Sequence, residues 1–194
     1  MWRQIVPAFR ITVFFTVLTG LIYPGVITGL SQAFFRWQAN GSMVEANGRV
    51  VGSNLIGQNF TKPEYFQPRP SAAGSGGYDA SASYASNYGP TSQALMDRLK
   101  ASLEKFHKDN PDYSGPIPAD MVTASASGLD PDISIASAEA QAARVAKVRG
   151  ITNDQVLNLI HDHAKGRVLG FLGEPSVNVL ELNLALDVAA PIKL

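Results

Sequence analysis

No cysteine occurs anywhere in the 194 residues, which removes disulfide bonds, zinc–thiolate sites and thiol nucleophiles together. Histidine is scarce. His107, His161 and His163 are too few and too scattered for a multi-histidine metal site without help from carboxylates. An excess of charge is also missing: sixteen basic residues face sixteen acidic ones, so no net field draws nucleic acid or anionic substrates. Neither the phosphate cradle Gly-x4-Gly-Lys-Ser/Thr nor a phosphorylatable Asp-Lys-Thr-Gly is present, and no motif encodes nucleotide chemistry. There is no internal repeat.

What the chain does contain is a long apolar run. From Ile11 to Phe35 no residue carries a charge, and a helix of roughly 20 apolar residues crosses the ~30 Å hydrocarbon core. Gly20, Pro24 and Gly25 inside it are better tolerated in lipid than in soluble helices, and Tyr23-Pro24 predicts a kink. Arg3 and Arg10 precede the run, and Arg36 alone follows before Arg49. The positive-inside rule therefore divides the chain into a cytoplasmic N-terminus (1–10), a transmembrane helix (11–35) and an extracytoplasmic domain (36–194), with Trp2 and Trp37 as interfacial aromatics. A cleaved signal peptide ending at Ser31-Gln32-Ala33 is the alternative, but its apolar core would be unusually long. Thr12, Thr16, Thr19 and Thr28, with Gly20, Gly25 and Gly29, also suit packing against another membrane helix.

Beyond the span, Met43-Val44 and Val50-Val51 flank Asn47-Gly48, which predicts a β-hairpin with a type I′ turn. A helix is predicted from Thr91 or Ser92 to the residue before Asn110-Pro111, with Leu95, Leu99, Leu103 and Phe106 as its buried stripe. A second runs from Ser134 or Ser137 to Arg149 and is stopped by Gly150. A third opens on the capping box Thr152-Asn153-Asp154-Gln155, buries Val156, Leu157, Leu159 and Ile160, and ends at Gly166. Over 177–187 alternation reads as a strand, while Val179, Leu182 and Leu186 also suit a helix. These elements make one compact α+β domain, a small sheet with several helices, held by a single N-terminal transmembrane helix.

Two motifs invite a chemical reading. Ser102-Leu103-Glu104-Lys105 matches the SxxK of penicillin-recognising enzymes, but the companion SDN and KTG elements are missing. His161-Asp162-His163 places two imidazoles two residues apart on a helix, so they face different directions. Catalytic residues and metal ligands are therefore assigned to none. The glycine-rich stretches GSNLIGQNF and RPSAAGSGGYD differ in that Asn54, Gln58, Arg69, Tyr78 and Asn87 offer hydrogen bonds to something outside the domain. The alternative is that these turns only shape the domain itself. Composition alone would make Tyr65–Pro90 a flexible linker. A linker needs two domains to join, and a span plus a hairpin has too little core to stand as one.

GSNLIGQNF at 52–60, YFQPRPSAAG at 65–74, SNYGPT at 86–91, ASGLDPDIS at 126–134 and the closing GFLGEPSVNVLELN occur in an order that resembles the C subunit of the bacterial Kdp potassium-transporting ATPase. The likeness covers essentially the whole chain and departs at Tyr88, where the family usually has Leu, and at Ser92-Gln93, where Asn-Pro is usual. It implies a four-part inner-membrane complex: a potassium-conducting A subunit, an ATP-hydrolysing P-type B subunit, a small F subunit and this essential, non-catalytic C subunit. It implies no cofactor on this chain, ATP and potassium being handled by the complex, and no nucleic-acid partner.

One family-level proposal makes the C subunit a catalytic chaperone that raises the ATP affinity of the B subunit. An extracytoplasmic domain could not touch cytoplasmic ATP directly, so the expectation here is a clamp over the outer mouth of the potassium-conducting subunit. The loop 65–90 then becomes an ordered surface, with Tyr65, its other tyrosines and Arg69 as candidate contacts. A membrane-anchored binding module for a different extracytoplasmic partner is the competing reading, and an anchored hydrolase is a third.

Overall fold

The computed structural model describes residues 2–192 and divides into two compact units, one ending at Met43 and the other beginning at Val44. The first is a long apolar helix from Trp2 to Phe34, 33 residues with a mean hydropathy of 2.0 in its most apolar window. At ~1.5 Å per residue this exceeds the thickness of a bilayer core. None of its residues is buried within the protein, so its apolar surface is left for lipid or another helix.

The helix is not uniform. Helix α1 (Trp2–Val17) passes into a π-helical turn at Leu18–Ile22, and α2 (Tyr23–Phe34) resumes with Pro24 in its first turn. There the missing proline N–H does least harm, because the first N–H groups of a helix lack internal partners anyway. The irregularity predicted at Tyr23-Pro24 thus lies just upstream, where the Tyr23 N–H bonds the Leu18 carbonyl. Thr19 Oγ1 donates to the Phe15 carbonyl at 2.6 Å. A short helix, α3 (Arg36–Ala39), follows.

At the start of the second unit, β1 (Met43–Ala46, its first residue the last of the first unit) and β2 (Arg49–Ser53) form the predicted hairpin. Asn47 (φ 53°) and Gly48 (φ 73°) both lie in the left-handed region that a type I′ turn demands. Helix α4 (Gln93–Asp109) starts after Ser92, which holds the cap position without a side-chain capping bond. Its predicted stripe is only partly buried: Phe106 is enclosed, Leu95 and Leu99 are half-covered, and Leu103 is exposed. Phe106 and Met121 pack with Ala140 in a small cluster. Tyr113 meets Phe106 edge-on at 5.8 Å.

Strand β3 (Asp132–Ser134) runs straight into α5 (Ile135–Arg149), which Ser134 caps by accepting from the Ser137 N–H and which Gly150 (φ 68°) closes. Helix α6 (Asn153–Asp162) carries the full capping box of Thr152 and Gln155. It ends at His163, short of the predicted Gly166, because β4 (Ala164–Lys165) takes over the backbone bonds. The ambiguous C-terminal stretch is both structures in succession, β5 (Ser176–Asn178) and then α7 (Val179–Ala189), with Asn178 as the cap that separates them.

The three short strands make an antiparallel sheet in the order β3-β5-β4, with Ile133 and Ala164 both opposite Val177 on the central strand. Alanines 138, 142 and 146 allow α5 to approach its neighbours closely. Val145, Val156, Ile160, Val177, Leu182 and Leu186 complete the core. Each large apolar side chain so enclosed contributes ~1.5–3 kcal/mol.

Candidate functional site

The stretch 65–79 that looks like a linker is bolted into this core. Phe66 is fully buried, and its backbone is held on both sides by one side chain: the Phe66 N–H donates to Asn183 Oδ1 at 2.8 Å and Asn183 Nδ2 donates to the Phe66 carbonyl at 3.0 Å. Gln141 repeats the arrangement one residue later, accepting from the Gln67 N–H at 2.8 Å and donating to the Gln67 carbonyl at 3.1 Å. Two amides thus act as a strand partner for a segment that has none. Arg144 and Arg149 add guanidinium bonds from α5. Arg144 donates to the carbonyls of Pro63 and Tyr65 and to Asn110 Oδ1. Burial pulls its pKa down to about 10, opposed by the nearby Asp109 charge, so it remains a cation at neutral pH.

Arg149 has a side chain only 1% exposed, paired with Asp187 at 2.7 Å. It donates to the carbonyls of Glu64 and Ala190 and lies 4.8 Å from the centre of the Tyr65 ring. Tyr65 donates to Asp187 at 3.1 Å, and burial, reinforced by that carboxylate, raises the phenol pKa.

The six residues expected to reach outward are distributed unevenly. Asn54 donates to Glu181 Oε1 at 2.6 Å and Gln58 to the Val51 carbonyl at 2.8 Å. Arg69 pairs with Asp130 at 2.8 Å, each side chain partly exposed. Tyr78 donates to the Arg69 carbonyl at 2.9 Å, and desolvation, helped by Asp130, pushes its phenol well above the ordinary range. Tyr65, Arg69 and Tyr78 hold the loop's shape, while Asn54 and Gln58 tie the segment after β2 to α7 and to β2 itself. Asn87, in a left-handed conformation (φ 49°), is exposed, as are Tyr84 and Tyr88.

Glycines let these layers approach one another. A Cβ on Gly57 would lie 2.5 Å from both the Asp130 carbonyl oxygen and the Tyr78 ring, and one on Gly128 (φ 69°) 2.7 Å from the Tyr84 carbonyl oxygen. Ser71 ties the layers further, donating to the Gly128 carbonyl at 2.6 Å and accepting from the Tyr78 N–H at 2.8 Å.

Between this loop and α4 lies a cleft of ≈ 380 Å³ lined by Asn59, Arg69, Gly76, Ser102, Lys105 and Asp109 among others. The Ser-x-x-Lys pair therefore shares one wall. Lys105 Nζ is engaged by Asp109 Oδ2 at 2.6 Å and by Gln67 Oε1 at 3.1 Å, so it serves a carboxylate rather than activating Ser102. His161 lies 3.5 Å from Glu139, whereas His163 Nδ1 lies 2.9 Å from the Leu159 carbonyl, so the two imidazoles have separate surroundings. Sequence reasoning missed Asn183, Gln141 and Arg144. The one available signal was polarity in the wrong place: an Asn inside VLELNLAL and a Gln and an Arg inside an alanine-rich helix.

The described residues make a small α+β domain that follows one helix long and apolar enough to cross a membrane, and the domain carries an ordered glycine- and tyrosine-rich surface. The chain belongs to the family described as KdpC, K+-transporting ATPase, c chain, whose model matches residues 5–188. It is 55% identical over 188 residues to the potassium-transporting ATPase KdpC subunit of Myxococcus xanthus, covering 96% of this chain and 89% of that one. It is 52% identical over 193 residues to the KdpC subunit of Koribacter versatilis, covering 99% and 98%. The KdpC subunit of Mycobacterium tuberculosis is 51% identical over 188 residues, covering 96% and 99%. The match includes the apolar helix as well as the folded unit.

Proposed function

We propose that this chain is a non-catalytic, essential subunit of a high-affinity, ATP-driven potassium uptake complex in the bacterial inner membrane. The observation that carries this reading is the family match over residues 5–188, which takes in helix and domain together. The apolar helix spans the bilayer with Arg3 and Arg10 on the cytoplasmic side, and the domain lies outside. There it assembles with the potassium-conducting A subunit, the ATP-hydrolysing B subunit and the small F subunit. It needs no cofactor of its own; ATP and potassium are handled by the complex.

In this reading the surface built on 65–90 meets the potassium-conducting subunit. Asn87, Tyr84 and Tyr88 touch it directly, Tyr65, Arg69 and Tyr78 contribute by fixing the shape that is presented, and Asn54 and Gln58 order the neighbouring segment after β2. A rigid clamp on the outer loops of an ion pathway is a useful task, since selectivity depends on oxygen dipoles held in place. Any influence on ATP turnover then passes through the membrane helix or the partner, not through contact with nucleotide.

Protease added to spheroplasts tests the topology, and affinity capture of the chain from detergent extract tests the assembly. Digestion of the domain from outside and co-elution of the large ATPase subunit are expected. Protection of the domain, or capture without the pump subunits, overturns the reading.

A further inference from the structure

We propose that Asn47 is a modification site at which the chain itself performs the chemistry: the Gly48 nitrogen closes on the Asn47 side-chain amide, ammonia leaves, and water opens the ring to aspartate or isoaspartate. This holds whether or not the assembly reading above does. Of the asparagines in the sequence, only Asn40 and Asn47 precede a glycine. Glycine has no Cβ to crowd the attacking nitrogen, whereas every other residue has one. Sequence therefore makes the two steps equivalent, and the structure separates them.

Exposure does not distinguish them, since both asparagines are exposed. Bonding does. Asn40 sits at the C-terminal cap of α3, and its amide is held from two sides. Nδ2 donates to the Arg36 carbonyl at 2.6 Å and to Gln32 Oε1 at 3.2 Å, while Oδ1 accepts from Gln32 Nε2 at 3.2 Å. The nitrogen that would attack is occupied too, because the Gly41 N–H donates to the Gln38 carbonyl at 3.0 Å. Ring closure at Asn40 must first break these bonds. At Asn47 there is nothing to break. Among the described residues neither its side-chain amide nor the Gly48 N–H has a hydrogen-bond partner, and a Cβ built on Gly48 would meet nothing within 4 Å.

The reaction needs only water. The deprotonated Gly48 nitrogen bonds to Asn47 Cγ, and the Cγ–Nδ2 bond breaks with release of ammonia. Water then adds to one of the two ring carbonyls, and nothing is oxidised or reduced. Attack at Cγ restores the main chain with an aspartate at position 47. Attack at the main-chain carbonyl leaves the chain running through Cγ, as isoaspartate. That product adds a backbone atom and a carboxylate to a two-residue turn that fits neither change without opening. A two-stranded ribbon is marginal by itself, so the β1–β2 hairpin loosens. The main core uses no residue before Phe60 and is left intact.

The full chain in detergent, incubated in mildly alkaline buffer, provides the test. Cleavage after Glu45 separates the two steps, and mass spectrometry with fragmentation that tells aspartate from isoaspartate follows each. Conversion at Asn47 should outpace that at Asn40 about ten-fold or more, the factor that breaking one or two hydrogen bonds beforehand imposes. In denaturant the two rates should converge. Gln32→Ala, which frees part of the Asn40 amide, should speed conversion at Asn40 about three-fold and leave Asn47 unchanged. Equal rates in the folded chain, a faster Asn40, or an Asn47 that converts only in denaturant overturns the proposal. So does an Asn40 rate indifferent to Gln32→Ala.

Discussion

Asn183 holds the backbone of Phe66 from both sides, donating at 3.0 Å to its carbonyl and accepting at 2.8 Å from its N–H, in a site where both residues are buried. One amide side chain thereby satisfies two main-chain groups that no strand reaches. Asn183→Leu should lower the stability of the full chain by about 2–4 kcal/mol, because each buried group left without a partner costs ~1–3 kcal/mol. Denaturant unfolding in detergent measures this. A loss below about 0.5 kcal/mol would show that the segment finds other partners.

Arg149 and Asp187 form an asymmetric pair, the first with a side chain 1% exposed and the second 39%. Arg149→Lys cannot reproduce the fork that reaches Glu64, Ala190 and Asp187, and should cost about 2–4 kcal/mol. Asp187→Asn leaves a guanidinium that still has two carbonyls and should cost about 1 kcal/mol, much of the pair being screened by solvent. Equal losses in the two variants would contradict the asymmetry.

Tyr78 supplies a pH signature. Its phenol pKa is raised in the folded state above the ordinary 10.0, chiefly by desolvation. The associated stabilisation is fully present below about pH 10 and declines as pH rises through the folded value, because the unfolded state releases its proton first. The stability advantage of the natural chain over Tyr78→Phe should therefore be constant up to about pH 10 and shrink above it. Taking the difference between the two proteins cancels the contributions of Tyr65, whose pKa is also raised, and Arg144, whose pKa is lowered to about 10. A difference that grows with pH would refute the assignment.

The segment 65–90 should behave as two halves. Replacing 80–90 with a Gly-Ser stretch of equal length removes mostly exposed residues and should shift the melting temperature little. The same exchange over 69–79 removes the Arg69–Asp130 pair, the Ser71 and Tyr78 bonds and buried Ala73, and should unfold the domain or cost several kcal/mol. Similar tolerance of both exchanges would mean that the first half is no part of the core.

The contrast between these halves also marks where the sequence was legible. Local chemistry was readable: the Asn47-Gly48 turn, the capping box at Thr152 and Gln155, and the stop at Gly150 appear where their residues demand them. Contacts across the chain were not. Phe66 and Gln67 lie among prolines, and their respective partners Asn183 and Gln141 are more than seventy positions away, so no periodicity could join them. For the same reason the buried stripe predicted on α4 includes Leu103, which is 38% exposed. Of the six candidate contact residues, Asn54, Gln58, Tyr65, Arg69 and Tyr78 bond within the domain while Asn87 is exposed, a division that sequence could not read because hydrogen-bonding capacity is the same in both settings.

The π-helical turn at Leu18–Ile22, followed by Pro24, makes the apolar segment two helices end to end rather than one uniform rod. Such irregular turns are the usual places where long helices bend. A bend in this helix is therefore expected at its middle, away from Arg3 and Arg10 near its start, so that its two halves can take different directions without any break in the chain.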